Sequence, residues 1–504
     1  MTINTGGTVE TGVNAFGWNY DTNVVINGGT LRQITHAEGP DSHMRNVTMT
    51  AGTMTGVDTA KQFNLHGDIT VNAAATSSVI STAQINLSPT SGVSASATQN
   101  TFTVADGAAA TDLSVSSVVA GTSGLIKAGA GVMSLSGVNT YTGATTISAG
   151  TLELGGVGRL GSGTYAGAIS NSGTLLINTT ANQTLSGTLT GAGSLVKNNT
   201  GILTLSTPKT YTGATTVSGG ELIVNGTGTL SGTSALTVAT NATFTYLPPT
   251  VGTSLTLGAG STLNRASSST VGLNWNAATS SRIAAAGAAT IGTGVKVSMT
   301  GAYTSGTPYT ILTAGSGLNT GSYVAINNTD YTAAFTLSPT SVIMTPTTTA
   351  PLAAAFWKGG ASGYASVLGV AGNWTTDGAG TASALTPGAA ANVYFSDSGA
   401  VAGNQVNMTL GSNMALNSIT VNGVMSLPFN TNPVSVLSTG GYSLTLGSTT
   451  GSGITMNLGA GAVTLDPAIA LGNAQTWTNN ASSTLTVNGV VSGWRGHPDQ
   501  GRDG

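Results

Sequence analysis

The sequence predicts an all-β protein, a right-handed parallel β-helix (β-solenoid) organised as two arrays. Three observations predict this fold: a composition poor in charge and rich in glycine, apolar residues that alternate with a period of two, and one segment that occurs twice. Repetition of a segment is the usual sequence signature of a solenoid, because each repeat buries its apolar side against the next one.

The composition favours strands over helices. Charged residues make up 6% of the 504 residues, well below the roughly 25% of ordinary domains, so the Glu, Lys and Arg that cover helix surfaces are scarce. The 73 glycines and the abundant Thr and Val suit strands joined by tight turns. With 13 Lys and Arg against 16 Asp and Glu, there is no electrostatic basis for binding nucleic acid. The lack of Cys excludes disulfides and thiolate metal sites.

A regular spacing is visible in the first segment. Gly-Thr-apolar steps begin at Gly7, Gly29 and Gly52, and short apolar strands precede these steps. The length of chain from one step to the next is typical of one solenoid coil. We expect the glycines to provide the positive φ angles of the corners between strands.

One segment occurs twice in the chain. Residues 125–152 read LIKAGAGVMSLSGVNTYTGATTISAGTL, residues 195–222 read LVKNNTGILTLSTPKTYTGATTVSGGEL, and 15 positions are identical. Around the glycine turn of the first copy, the apolar residues are Ile147, Leu152 and Leu154. Because side chains two apart in a strand face the same way, we expect these residues to fill the interior while Thr and Ser face water.

The rest of the chain divides into segments by composition. We predict N-terminal β-helix rungs at 1–120, the two repeats in β-helix at 121–229 and an irregular β segment or cap at 230–350. A second β-solenoid array, opened by a Trp-rich segment, is predicted at 351–491, and a charged, non-native-looking tail at 492–504. The Pro- and Thr-rich run at 345–351 predicts a linker between the arrays.

The two copies resemble the passenger-associated transport repeat, also called the autotransporter-associated β-strand repeat, of large secreted or surface proteins of Gram-negative bacteria. The first copy matches this motif at Lys127, Gly131, Leu135, Tyr141, Gly143, Thr145, Gly150 and Leu152. The second copy matches it at Lys197, Gly201, Leu205, Tyr211, Gly213, Thr215, Gly220 and Leu222. The string from Trp357 through Trp374 to Phe395 is similar to the segment that often opens such arrays.

The resemblance implies a passenger fragment that is extracellular or on the cell surface of a Gram-negative bacterium. It implies a structural stalk or adhesin-like scaffold whose repeats assist secretion and folding. No enzymatic activity, catalytic residue or cofactor is expected. The expected partners are an outer-membrane translocator outside this chain and an unidentified host-surface or polysaccharide ligand, with no nucleic acid and no membrane insertion. The chain is expected to be a monomer.

Two other classes of function stay open. Carbohydrate-active enzymes of the polysaccharide lyase or glycosidase kind also use β-helices, and they need carboxylates clustered in one groove, which the scattered acids of this sequence do not identify. A cytosolic repeat scaffold is the third class. The N-terminus MTINTGGTVETG has no secretory signal pattern, and the charged tail differs from the rest, so we expect the chain to be a fragment.

The densest group of ionisable residues is THAEGPDSHMR. It contains His36, Glu38, Asp41 and His43, whose imidazoles and carboxylates are weak candidates for a metal site. The spacing matches no standard metal motif, and Gly39-Pro40 predicts a protruding loop. We interpret the segment as a solvated loop between rungs.

Roles for the recurring large residues follow from general rules of solenoids. Lys127 and Lys197 are expected on the solvent face beside a strand edge, where a charge discourages lateral association. Tyr141 and Tyr211 are expected in aromatic ladders between successive coils. Trp357 and Trp374 are expected in the core or in a cap.

Overall fold

A computed structural model describes residues 1–11, 23–34, 42–56, 62–87, 99–359, 368–376, 385–396, 405–411, 413–423, 433–438, 441–447, 451 and 453–493. The chain is all-β, and its parallel strands stack as a β-solenoid of about 18 turns. Among the described residues the helical elements are two short 3-10 turns, at Gly161–Gly163 and Ala371–Asn373. The predicted fold class is therefore confirmed.

The strands are short because each one covers only one side of a coil. Those up to Lys197 are β1 (Thr2–Asn4), β2 (Thr8–Thr11), β3 (Val24–Asn27), β4 (Thr30–Gln33), β5 (Ser42–Met44), β6 (Val47–Thr50), β7 (Thr53–Gly56), β8 (Phe63–Leu65), β9 (Ile69–Val71), β10 (Ser78–Ser81), β11 (Gln84–Leu87), β12 (Gln99–Val104), β13 (Leu113–Val115), β14 (Val118–Gly121), β15 (Gly124–Ala128), β16 (Val132–Leu135), β17 (Thr145–Ile147), β18 (Thr151–Gly156), β19 (Thr164–Tyr165), β20 (Ile169–Asn171), β21 (Thr174–Thr179), β22 (Gln183–Leu185), β23 (Leu189–Thr190) and β24 (Ser194–Lys197).

The strands that follow include the longest ones of the described chain. Up to residue 348 they are β25 (Ile202–Leu205), β26 (Thr215–Val217), β27 (Glu221–Asn225), β28 (Ala235–Val238), β29 (Thr243–Leu247), β30 (Ser254–Thr256), β31 (Thr262–Arg265), β32 (Thr270–Trp275), β33 (Arg282–Ala284), β34 (Ala289–Ile291), β35 (Val295–Gly301), β36 (Tyr309–Thr313), β37 (Tyr323–Ile326), β38 (Tyr331–Leu337) and β39 (Ser341–Thr348).

Short strands return after residue 353. They are β40 (Ala354–Trp357), β41 (Trp374–Thr375), β42 (Asn392–Phe395), β43 (Met408–Thr409), β44 (Met414–Leu416), β45 (Ser418–Val421), β46 (Val434–Leu437), β47 (Ser443–Leu446), β48 (Ile454–Met456), β49 (Val463–Leu465), β50 (Ala468–Leu471), β51 (Thr478–Asn479), β52 (Leu485–Val487) and β53 (Val491–Gly493).

The chain forms two compact units. The first comprises Met1–Asn264, Ile283–Ala289 and Ala314–Ser316, and the second comprises Arg265–Arg282, Thr290–Thr313 and Gly317–Gly504.

The coils of the first unit are built from three stacks of parallel strands. Sheet A has the order β1-β3-β6-β9-β12-β15-β17-β20-β23, and sheet B includes β2-β4-β7-β10-β13-β16-β18-β21-β24-β26-β28. The third position is held first by sheet C, with β5-β8-β11-β14, and later by sheet D, which includes β19-β22-β25-β27-β29.

The register confirms the coil length predicted for the first segment. Thr8 lies beside Thr30 and Thr30 beside Thr53, so successive coils repeat the spacing of the Gly-Thr steps. The corners differ from the prediction by one position: the positive φ angles belong to Gly6, Gly28 and Ala51. Gly52 is instead a glycine of close approach, since a Cβ there would lie 2.6 Å from the Ile26 side chain.

Among its described residues, the second unit contains an antiparallel layer of three strands. β36, β39 and β38 pair antiparallel, with Tyr309 beside Met344 and Phe335 beside Met344 on the other side. The predicted linker at 345–351 is wrong for its first four residues, which belong to β39. Pro346 fits in this strand because its backbone groups point away from β38, and its carbonyl oxygen accepts a hydrogen bond from Gly306 N on the other side. Its pair with Ala333 on β38 is therefore not hydrogen-bonded and needs no N–H from Pro346.

Parallel stacking resumes with β40, and a large apolar cluster lies along the coils that follow it. Val393, Ile419 and Ile454 lie in register in successive coils and are at most 3% exposed. Trp357 and Trp374 are 1% and 0% exposed, with ring centroids 5.0 Å apart in a T-shaped contact. Both tryptophans are core residues of this cluster, as predicted.

Candidate functional site

The repeated segment forms the same two-coil unit in both copies. In the first copy β15 and β16 pair with β17 and β18, so that Lys127 lies beside Ile147. In the second copy β24 and β25 pair with β26 and β27, so that Lys197 lies beside Val217. The first copy occupies sheets A and B, whereas the second occupies sheets B and D. One local geometry is therefore built on different sides of the solenoid.

The apolar side chains of both units point inward, as predicted. Ile147, Leu152 and Leu154 are 0% exposed, and so are their counterparts Val217, Leu222 and Val224. The Thr and Ser residues of the two units are partly or fully exposed, apart from Thr145 and Thr215. Burial of an aliphatic side chain of this size contributes about 1.5–3 kcal/mol, so these residues hold each coil to its neighbours.

The prediction that Lys127 lies on the solvent face is wrong, because its side chain is fully buried. The ammonium Nζ donates to three carbonyl oxygens: Ala128 at 3.0 Å, Gly129 at 2.8 Å and Ala149 at 3.2 Å. Ala128 is the last residue of β15 and Gly129 belongs to the turn after it, whereas Ala149 belongs to the equivalent turn of the next coil. The lysine therefore joins two successive coils at a corner.

Lys197 repeats this arrangement and is also fully buried, so its predicted solvent position is wrong as well. Its Nζ donates to Asn198 O and Asn199 O at 2.7 Å each, and to Gly219 O at 3.2 Å. The offsets of these acceptors from the lysine, namely 1, 2 and 22, are those of the first copy. We name this three-carbonyl arrangement the lysine clamp.

Burial changes the protonation of both clamps. It lowers the pKa of Lys127 to about 8, against the attraction of Asp112, and the pKa of Lys197 to about 8, against the attraction of Glu221. Below that pH each clamp carries a positive charge. A charged donor strengthens its hydrogen bonds to the carbonyls, while its desolvation opposes folding.

Glycines of the motif serve two different purposes. Gly150 and Gly220 adopt φ angles of 66° and 62° at the corner beneath the clamp, where a Cβ would also meet backbone oxygens at 2.5 Å and 2.3 Å. Gly143 lies where two coils touch, since a Cβ there would be 2.3 Å from Gly124 N. Gly213 is crowded in the same way by Gly193 O.

Tyr141 belongs to a buried hydroxyl network that reaches the next coil. Its hydroxyl and that of Tyr165 each lie 2.8 Å from Thr145 Oγ1, and Tyr165 donates to Gly143 O. The two rings meet edge to face with centroids 5.6 Å apart, which confirms the predicted aromatic contact between coils for this copy. Burial raises the pKa of both tyrosines, so both are neutral hydroxyl groups.

The second copy keeps the hydrogen bonds with a smaller residue. Tyr211 contacts Thr215 Oγ1, which lies 2.9 Å from Thr233 Oγ1, and Thr233 donates to Gly213 O at 2.8 Å. Thr233 thus takes the place that Tyr165 has in the first copy. The aromatic ladder predicted for Tyr211 is not seen among the described ring contacts, and its partners are the hydroxyl groups of Thr215 and Thr233. Burial raises the pKa of Tyr211.

A family model identifies the segments that carry this geometry. The model of the passenger-associated-transport-repeat matches residues 125–154 and 195–224. The chain carries two passenger-associated transport repeats. No curated protein and no solved structure matches the chain.

Within each matched segment, motif residues join successive coils. Lys127 is a hydrogen-bond donor across coils, Tyr141 contacts the next coil and Gly150 permits the corner. The family model and the fold together fit an autotransporter passenger domain.

Residues outside the repeats complete the unit, and sequence reasoning missed them. Tyr165 and Thr233 lie 20 and 18 residues after the threonines that they contact, close to one coil length, which is the signal that could have found them. Within the second repeat, Lys209 stands where the first repeat has Asn139, at the corner before TYTGATT, and both are fully buried. Lys209 Nζ donates to Leu185 O at 3.0 Å.

The weak metal candidates are not assembled into a site in the described chain. His36, Glu38 and Asp41 lie outside the described residues. His43 lies on β5, where its ring stacks on His66 with 2.7 Å between Nδ1 and Nε2. Within the described ranges, no three His, Cys, Asp or Glu side chains are close enough to share a metal ion. No helix of the part that the structure describes is long and apolar enough to cross a membrane.

Proposed function

We propose that the chain is a secreted or surface-exposed passenger that serves as a structural stalk or adhesin-like scaffold, and that its two repeats assist folding during secretion. The observation that carries this proposal is the lysine clamp, which occurs with the same offsets in both repeats. An outer-membrane translocator is the expected partner.

The clamp supports a role in folding because its third acceptor lies one coil away. Ala149 O and Gly219 O become available only when the chain that follows each lysine has formed the next coil. A solenoid folds by adding coils to a formed neighbour, and each addition must offset the entropy of ordering about 20 residues. At two places along the chain, a hydrogen bond from a buried ammonium to the next coil makes the addition of that coil more favourable.

Spacing along the chain adds to the argument. The clamps stand several coils apart and on different sheets, so a chain that emerges progressively meets one clamp and later the other. Contacts between neighbouring coils need no distant part of the chain, which suits folding at an outer surface where energy sources are absent. Tyr141 and Tyr211 strengthen the same junctions.

A display assay tests the proposal. The full chain is placed between a secretory signal peptide and an outer-membrane translocator, and the surface-exposed fraction is measured by protease shaving of intact cells. We expect a severalfold lower displayed fraction for the variant that combines Lys127→Met and Lys197→Met. Arg32→Met is the matched control, because Arg32 pairs with Glu10 on the exposed surface. Equal display of both variants would contradict the role in secretion.

The absence of enzymatic activity is part of the same proposal. Turnover of polysaccharides by the purified chain would favour the alternative of a carbohydrate-active β-helix enzyme, and sugar release is the measurement that decides between them.

A further inference from the structure

Strand β38 is the edge of an antiparallel layer in the second unit. It pairs with β39 on one side, with Tyr331 beside Thr348 and Leu337 beside Val342. The sheet order ends at β38, so no strand among the described residues pairs with its other side. An edge strand presents a row of backbone N–H and C=O groups, which is a template for another strand.

The hydrogen bonds of β39 show which groups of β38 point outward. Pro346 O accepts from Gly306 N, so the backbone of Pro346 points away from β38. Its partner Ala333 is then in a non-hydrogen-bonded pair, and antiparallel pairs alternate along the strand. The N–H and C=O groups of Ala333, Phe335 and Leu337 therefore point away from β39.

Side-chain exposure agrees with an open edge. Val342 and Met344 of β39 are 0% exposed, whereas their partners Leu337 and Phe335 on β38 are half-buried. Protein edges are usually protected by charged residues, Pro or a bulge. Residues 331–337 read YTAAFTL, with no charge and no Pro, and their pairing with β39 is continuous.

We propose that two copies of this chain associate by antiparallel pairing of β38 with β38 about a two-fold axis through Ala334. In this register Ala333 lies opposite Phe335 of the second copy, and both present outward N–H and C=O groups. Thr332 lies opposite Thr336, and Ala334 lies opposite itself. The strand is thus complementary to its own reverse, as an isologous two-fold interface requires.

The chemistry of the strand favours a second copy as the occupant. Because residues 331–337 carry no charge, the two-fold pairing places no like charges together. The Ala333–Phe335 pairs put an aromatic ring beside a small residue. The Phe335 ring also stacks on Tyr323 of β37, with 5.8 Å between the ring centroids. One strand pair is a small contact area, so we expect a weak, concentration-dependent dimer in place of the monomer that the sequence predicts.

Sedimentation velocity of the full chain over a range of concentrations tests the proposal. We expect dimer for the native chain, and a dissociation constant at least about tenfold higher for Ala334→Lys, since two ammonium groups would face each other. Thr347→Lys on β39 adds the same charge at an exposed position away from the axis, and its dissociation constant is expected to stay native. Circular dichroism confirms that each variant is folded.

A charge-swap mixture gives the sharper result. Ala334→Glu alone is expected to be weakened like Ala334→Lys, while an equal mixture of the two variants is expected to form a heterodimer. A native chain that stays monomeric throughout would overturn the proposal. So would a dimer that Ala334→Lys and Thr347→Lys weaken equally, or a mixture that stays monomeric.

Discussion

The first and second passenger-associated transport repeats differ in position but agree in their contacts between coils. The first spans sheets A and B, the second spans sheets B and D, and yet each lysine bonds two carbonyls of its own turn and one of the next coil. A motif that specified one side of the solenoid would occupy the same sheets in both copies. The repeat therefore specifies how one coil joins the next, whichever side it occupies.

The residues that vary between the copies teach a second point. Tyr165 and Thr233 differ in size, but the hydroxyl of each contacts a buried threonine and donates to a glycine carbonyl. Asn139 and Lys209 both place a nitrogen donor at the preceding corner. At these positions the two copies share a nitrogen donor or a hydroxyl group, whereas the size of the side chain that carries it differs.

The largest effect is expected at the corner glycines. Gly150→Ala and Gly220→Ala combine a strained φ with a Cβ that meets backbone oxygen, and each should lower the free energy of unfolding by about 3–5 kcal/mol. Gly156→Ala is the control, because its φ is 57° but its nearest new contact is 3.6 Å. Urea denaturation should show a loss of about 1 kcal/mol in the free energy of unfolding for Gly156→Ala. A loss at one corner only would break the equivalence of the repeats.

The clamps come next in size. Lys127→Met and Lys197→Met should each cost about 1–3 kcal/mol, because three carbonyl oxygens lose their donor. Arg32→Met should stay within about 0.5 kcal/mol, since its ion pair is exposed. Chemical denaturation of the three variants measures the difference. Unequal losses at the two lysines would show that position, and not the motif, sets their contribution.

Removal of one hydroxyl group tests whether the hydroxyl networks of the two copies contribute equally to stability. Tyr165→Phe and Thr233→Val each delete the group that donates to a glycine carbonyl, and each should cost about 1 kcal/mol. The ring contact of Tyr165 with Tyr141 survives in the first variant, so the two costs should agree. Thermal unfolding gives the comparison, and a near-zero cost for Thr233→Val would mean that the hydroxyl network belongs to the first repeat alone.

The pH dependence of stability tests the buried ammonium groups of both clamps together. Both clamp lysines have a folded pKa of about 8 against an ordinary value of 10.5, so between these values the unfolded chain binds more protons and stability rises with pH. Above about 10 the buried tyrosines reverse the trend, because their pKa is raised on folding. Denaturation at pH 7 to 11 should show a maximum near pH 10. The rise should be flatter when both lysines are methionine.

Sequence reasoning predicted the coil length, the inward apolar side chains and the repeat because each depends on a period that local sequence displays. It misplaced Lys127 because charged residues are usually exposed, and only the neighbouring coil shows the carbonyls that an ammonium on a long stem reaches. A signal was present: a lysine recurs before a Gly or Asn turn in a chain with little charge. The position of Pro346 in β39 could not be predicted, since only the strand register shows that its missing N–H costs no hydrogen bond.

Hydrogen exchange measured by mass spectrometry tests the central claim most directly. If each clamp joins one pair of coils, Lys127→Met should speed amide exchange within residues 125–154 and leave 195–224 at the native rate, and Lys197→Met should do the reverse. Exchange that is unchanged in both segments, or that rises equally in both for either variant, would contradict the claim that the repeat is a local junction between successive coils.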